Sequence, residues 1–243
     1  MFESDIKNKD NKHLIYKYYS PSEYNLDALI NQYFWFSKRE FLNDPFDLGN
    51  FKKGRNILSF YSLLLQKYLE GNDIDTEAIK RVINEYASCS FTNSELNKQM
   101  WAYYAKDYSG WCLAFQRGKM KTSNECLLAP AIYVDNLLQP TQPIDNSKYG
   151  TNSIGRMVRK TLCTKHESWR HEEEERMVIK MKSATNGAKR SWGTYQLDHL
   201  VIGNKINDAF KSIILAIASK MNVPVFMIDI SRHDFQLDKV LIQ

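Results

Sequence analysis

The stretch that most constrains the fold lies near the C-terminal end. Ile206, Phe210, Ile213, Ile214, Ile217 and Met221 recur at helical spacing, and Val225-Phe226-Met227-Ile228-Asp229-Ile230 follows as a β-type run. Gly193 to Gly203 precedes them and ends in Leu200-Val201-Ile202-Gly203. A strand, a helix with one apolar stripe and a second strand predict a crossover onto a parallel neighbour. The helix must pack its stripe back onto the sheet that the first strand has just left.

Upstream, short runs of aromatic and β-branched residues alternate with breakers. Leu14 to Tyr19 reads as a strand ended by Ser20-Pro21, and Tyr33 to Phe36 as a strand buried in a sheet with aromatics on both faces. Further strands are expected at Ser88 to Thr92, Gly110 to Phe115, Ala131 to Val134 and Arg176 to Met181. Helices are expected over Ser22 to Asn31, Ser94 to Lys106 and a basic stretch near Ile154 to Leu162. Two more fall within 55–87, where Ile57 to Leu69 and Ile79 to Tyr86 show helical spacing. Asn186-Gly187 marks a turn. The pattern predicts an α+β fold: one mixed, largely antiparallel sheet flanked by helices, as a single domain over 1–243. Residues 1–12 read as an N-terminal extension, 55–87 as a helical insertion and 135–153 as a loop.

Composition narrows the function classes. Thirty-three Lys and Arg against 28 Asp and Glu give +5, which suits an anionic ligand without demanding nucleic acid. No apolar run approaches the roughly 20 residues of a membrane span. The first residues lack the apolar stretch of a secretory signal, so a cytoplasmic protein with no membrane partner is expected. Cys89, Cys112, Cys126 and Cys163 form no Cys-x-x-Cys pair and are read as free thiols, with no metal expected. Aromatics reach 13 %, with 14 Tyr and five Trp. So many rings must be stored in the core or in a site that stacks on flat ligands.

Four segments could carry chemistry. Lys165 to Arg176 holds four consecutive acids, Glu172 to Glu175. If a strand begins near Glu172, alternation puts Glu172, Glu174, Arg176 and Val178 on one face. An Arg beside two acids can leave one carboxylate ionised and aimed; a solvated acidic run is the plainer alternative. Met100-Trp101-Ala102-Tyr103-Tyr104 places Trp101 and Tyr104 on one helical face, as core or as a wall for a planar ring. Asn43-Asp44-Pro45-Phe46 is a turn cluster. Tyr16-Lys17-Tyr18 sets a cation between two phenols. Gly-x-Gly-x-x-Gly, Walker, Gly-x-Ser-x-Gly and His-Glu-x-x-His motifs are all missing.

Taken together, these segments resemble the bacterial family catalogued as domain of unknown function 2971. The resemblance rests on Tyr16-Lys17-Tyr18, Phe34-Trp35-Phe36-Ser37 and Phe41-Leu42-Asn43-Asp44-Pro45-Phe46. It continues through Ser90-Phe91, Met100 to Ala105, Gly110 to Phe115 and a Lys165…Trp169-x-x-Glu172-x-Glu174-x-Arg176 block, and closes on Val201-Ile202-Gly203. The stretch 55–87 reads as this member's own insertion. More remotely, the order of Tyr16-Lys17-Tyr18, Phe36-Ser37 and Glu172-x-Glu174 is similar to the ADP-ribosyltransferase superfamily.

That second resemblance implies NAD as a substrate. Glu174 would serve the ribose and transition state, Glu172 would orient or deprotonate the acceptor, and Arg176 would restrain the acids or meet phosphate. Tyr16, Lys17, Tyr18, Ser37, Asn43 and Asp44 would bind NAD, and Trp101 with Tyr104 would form the aromatic wall. It implies a toxin or phage-defence effector with a nucleic-acid or protein acceptor, and an antitoxin as a further partner. Arg156, Arg159, Lys160, Lys189 and Arg190 are candidate phosphate contacts. Two other readings stand beside it: a non-catalytic nucleotide- or protein-binding sensor of a defence system, and a metal-dependent nuclease built on the Glu cluster.

Overall fold

Alternation along β1 (Leu14–Tyr19) divides the molecule between two cores. Ile15 and Tyr19 join a larger cluster with Phe34, Phe36, Trp111 and Phe115. Tyr18 joins a smaller one with Met100, Trp101, Cys112, Val201 and Ile228. The structure is a computed structural model. It describes residues 14–38, 41–42, 44, 84–120, 126–135, 162–181, 185–193, 195–230 and 234–243. The expected extension 1–12, residues 55–83 of the expected insertion, residues 136–153 of the expected loop, Asn43, Arg156, Arg159 and Lys160 lie outside the described residues.

The fold is α+β, with an open mixed sheet and helices packed on it. In chain order the strands are β1, β2 (Tyr33–Ser37), β3 (Tyr86–Thr92), β4 (Trp111–Gln116), β5 (Cys126–Pro130), β6 (Ile132–Val134) and β7 (Thr164–His166). β8 (Glu174–Lys180), β9 (Gly187–Ser191), β10 (Leu197–Ile202), β11 (Val225–Ile230) and β12 (Leu237–Leu241) follow. The ten-stranded sheet runs β12-β11-β10-β4-β1-β3-β2-β9, with β8 on β3 and β5 on β8, while β6 and β7 pair separately in parallel.

Three α-helices are described. α1 (Glu23–Ile30) starts at Ser22, whose hydroxyl accepts from the Asn25 amide. α2 (Lys98–Tyr103) is capped in the same way by Asn97. α3 (Asp208–Met221) is capped by Asn207 and buries Ile214 and Ala218. α3 joins β10 to β11, and these strands are parallel, as the crossover pattern requires. Among the described residues no helix is long and apolar enough to cross a membrane.

Several expectations need correction. α2 begins at Lys98 rather than Ser94, because the Asn97 side chain takes the first free amides and ends the preceding loop. Tyr86 belongs to β3, opposite Lys180, rather than to a helix. Trp35 is not enclosed in the sheet: Phe34 and Phe36 are buried on one face, and Trp35 is 46 % exposed on the other. Asn186-Gly187 leads into β9, a strand the periodicity does not mark, which pairs with β2. β5 and β12 also carry no clear signal; β5 ends in Pro130 at a sheet margin, where a missing amide is tolerated.

Candidate functional site

The site is built around β3. One edge of this strand pairs with β8 along its whole length, from Tyr86↔Lys180 to Thr92↔Glu174. The other edge meets β1 at Tyr16↔Thr92 and β2 at Ser37↔Ser88. β1 and β2 therefore diverge along the middle of β3. The result is a cleft of about 990 Å³, lined by residues from both faces of β1. Tyr16, Lys17, Tyr18 and Tyr19 contribute from β1, Ser37 from β2, and Ser88, Cys89, Ser90 and Phe91 from β3. α1 lines it with Tyr24 and Asp27, and Tyr104 lies just beyond α2. Lys165, Glu172 and Glu174 complete it.

The acid block reaches the cleft through a bend. A 3-10 helix occupies Glu167–Glu172, Glu173 is left-handed at φ 44°, and β8 starts only at Glu174. This corrects the expected strand start at Glu172, although Glu172 and Glu174 still point to a common place. Lys165 on β7 donates to both carboxylates, at 2.8 Å to Glu174. Arg176 donates to Glu174 through Nε at 2.8 Å and Nη2 at 3.0 Å. The Tyr104 hydroxyl donates to Glu172. All four charged side chains are buried, so two acids and two bases compensate each other away from water. The plainer alternative, a solvated acidic run, fails for Glu172, Glu174 and Glu175; Glu175 turns to the other face and pairs with Arg117 at 2.8 Å.

Burial by itself raises the Glu174 carboxyl, but Arg176 and Lys165 outweigh it and hold the group at about 2. Lys165 is the mirror case. Burial lowers it, Glu174 and Glu172 more than offset that, and it stays above the ordinary lysine range. At neutral pH both groups are charged.

The segment between β3 and α2 braces this arrangement. The Asn93 amide donates to the Glu173 carbonyl at 3.1 Å, and the Asn97 side chain to the His171 carbonyl. On the cleft side, the Tyr18 hydroxyl donates to the Ser94 and Glu95 carbonyls. The Glu95 carboxylate is anchored in turn by His199 and Lys239. One short segment thus links β1, the acid block and the C-terminal strands.

Of the residues singled out from sequence, Tyr16, Lys17, Tyr18, Ser37, Tyr104, Glu172 and Glu174 converge on the one cleft. Trp101 does not: it is fully buried, its indole N–H donates to the Glu95 carbonyl at 2.8 Å, and Tyr104 alone of that pair is a wall residue. Asp44 is buried away from the cleft lining. Arg176 is fully buried too, and it donates to Glu174 and to the Leu162 carbonyl. Lys189 is at the cleft margin, but it pairs with Asp27 at 3.1 Å and covers the Tyr33 ring. Sequence reasoning left out Lys165, although it sits in the Lys…Trp-x-x-Glu-x-Glu-x-Arg block. It also left out Tyr19, which period-two alternation puts on the face of Lys17, and Ser88, for which no local pattern exists. The four cysteines are free thiols. Among the described residues no group of three or more His, Cys, Asp or Glu could hold a metal ion.

Fold and site together define an open α+β sheet protein whose cleft lies where two strands part. A family model described as Protein of unknown function (DUF2971) matches residues 100–177, the span that holds Tyr104, Lys165, Glu172 and Glu174. Over this block the match supports the resemblance to that family which the motifs suggested. No curated protein and no solved structure matches it significantly.

Proposed function

We propose that the cleft binds NAD as a substrate and that the protein transfers ADP-ribose from it to a nucleic-acid or protein acceptor. The observation that carries this reading is the convergence of Lys17 and Tyr18, Ser37, Tyr104, Glu172 and Glu174, from separate parts of the chain, on one cleft large enough for a dinucleotide. In the reaction the bond between ribose C1′ and the nicotinamide nitrogen breaks, and its electron pair leaves with nicotinamide. The acceptor nucleophile then bonds to C1′ and gives up its proton. C1′ is electron-poor between these events, as in glycoside cleavage. A carboxylate that is ionised and fixed beforehand stabilises that charge without reorganising. Glu174, held by Arg176 and Lys165, has that character. Glu172, which accepts from the Tyr104 hydroxyl, is the candidate to receive the acceptor's proton. The setting we propose is a cytoplasmic toxin or phage-defence effector, restrained by an antitoxin.

One observation favours a second reading, a non-catalytic nucleotide- or protein-binding sensor: each carboxylate is already matched to a cation, so neither is a ready base. Incubation of the protein with labelled NAD and a cell lysate separates the two. Nicotinamide release or label transfer, lost in Glu174→Gln, supports the transferase. Calorimetric binding of NAD without turnover supports the sensor. Absence of both binding and release removes NAD from either.

A further inference from the structure

Among the described residues, two buried hydroxyls in the cleft have no hydrogen-bond partner, Tyr19 Oη and Ser88 Oγ. Tyr19 is 7 % exposed and Ser88 3 %. Leaving a buried polar group unmatched is unfavourable, so nearly all such groups in folded proteins find a partner. Lys17 adds a third unmatched feature. It donates to the Ser90 carbonyl at 3.1 Å and lies 5.4 Å from the Tyr19 ring centre, and among the described residues no carboxylate pairs with it. The other two lysines of the cleft are neutralised, Lys165 by Glu172 and Glu174, Lys189 by Asp27. Burial pushes the Tyr19 phenol well above its ordinary range, so it keeps its proton and remains a donor.

We propose that Lys17, Tyr19 and Ser88 form a phosphate-binding subsite in the cleft, and that Tyr19 and Ser88 select ligands that carry a phosphate. An ammonium group without an anion and two hydroxyls without acceptors are donors that together match an oxygen-rich anion. A cleft of about 990 Å³ with Tyr24, Tyr33 and Trp35 on its walls is far larger than a lone phosphate, so the phosphate belongs to a molecule with a flat ring system. The proposal rests on the reading of the cleft as a nucleotide site. It extends that reading to Tyr19 and Ser88, which had no assigned role, and gives Lys17 the phosphate as its partner.

The test is calorimetry on the full chain with NAD, ADP, adenosine and inorganic pyrophosphate. ADP is expected to bind wild type at least about tenfold more tightly than adenosine. Lys17→Met should weaken ADP about tenfold or more and leave adenosine unchanged. Tyr19→Phe and Ser88→Ala should each weaken ADP about threefold to tenfold while Tm holds or rises, since each removes an unmatched buried hydroxyl. Loss of affinity without loss of stability is what a merely structural role would not produce. Adenosine binding as well as ADP, no binding of any phosphate-bearing probe, or ADP affinity unchanged in Tyr19→Phe and Ser88→Ala would overturn the subsite. If ADP or pyrophosphate binds in this residue-dependent way and NAD does not, the subsite stands and the NAD reading fails.

Discussion

Lys165 Nζ lies 2.8 Å from Glu174 Oε2, in a buried group that also contains Glu172 and Arg176. Lys165 pairs with both acids, and Arg176 pairs with Glu174. Lys165→Met would keep the stem and remove the charge, leaving two carboxylates together out of water. A loss of about 3–5 kcal/mol in urea unfolding is expected. Adding Glu172→Gln to that variant should restore part of it. A double variant no more stable than the single one would show that carboxylate repulsion is not the cause.

The low value of Glu174 sets an acid limb. Its carboxyl moves from an ordinary 4.5 to about 2 in the folded protein. A depressed acid contributes stability that is complete above its unfolded value and lost as pH falls through its folded value. Stability should therefore drop between about pH 4.5 and pH 2. Glu174→Gln should be less stable at pH 7 and flatter over that acid interval, as read by urea midpoints at stepped pH. Lys165, which is raised, works in the other direction: its contribution is present through neutral pH and declines only in strong alkali.

Close backbone approach at Gly203 allows little change. A Cβ there would meet the Tyr108 carbonyl oxygen at 1.9 Å, and Tyr108 itself is left-handed at φ 64°. The turn after α2 cannot retreat, because Tyr108 also accepts from the Lys205 amide at 3.0 Å. Gly203→Ala should lose about 3 kcal/mol or more in thermal or urea unfolding.

Asn97 links a helix start to the acid block, since it caps α2 and donates to the His171 carbonyl. Asn97→Ala should lose about 1–2 kcal/mol. Amide hydrogen exchange should also quicken at both Gln99–Met100 and His171–Glu173. Faster exchange in α2 alone would sever the link to the acids.

If the cleft is catalytic, Tyr104→Phe is the informative change. It keeps the ring on the wall and removes the hydroxyl that donates to Glu172. Nicotinamide release is expected to fall about tenfold or more with NAD affinity little altered. An equal fall in both would make Tyr104 a binding residue.

Local patterns carried much of the fold. The stripe Ile206 to Met221 followed by Val225 to Ile230 needed only helical and strand periodicity, and the parallel β10–β11 pair followed. β1, β2, β4 and β8 announced themselves through dense aromatic and aliphatic runs. β9, Gly187–Ser191, did not, because a strand of Gly, Ala, Lys, Arg and Ser is held by its pairing with β2 and not by its own side chains.

The acids, the Tyr16–Tyr18 strand and Tyr104 could be picked from sequence, since each is an unusual residue set within a short window. Their roles could not. Trp101 and Tyr104 share a helical spacing, yet only packing decided that Trp101 fills the small core and Tyr104 faces the cleft. Charges behaved the same way. Four consecutive Glu say nothing about which partner each finds; Lys165, Arg176 and Arg117 were assigned by a left-handed bend at Glu173 and by strands brought together from distant parts of the chain. Period and propensity act over a few residues and are written in order along the chain. The parting of β1 from β2 over β3, which makes the cleft, is a matter of which strand edges meet, and only the assembled sheet determines it.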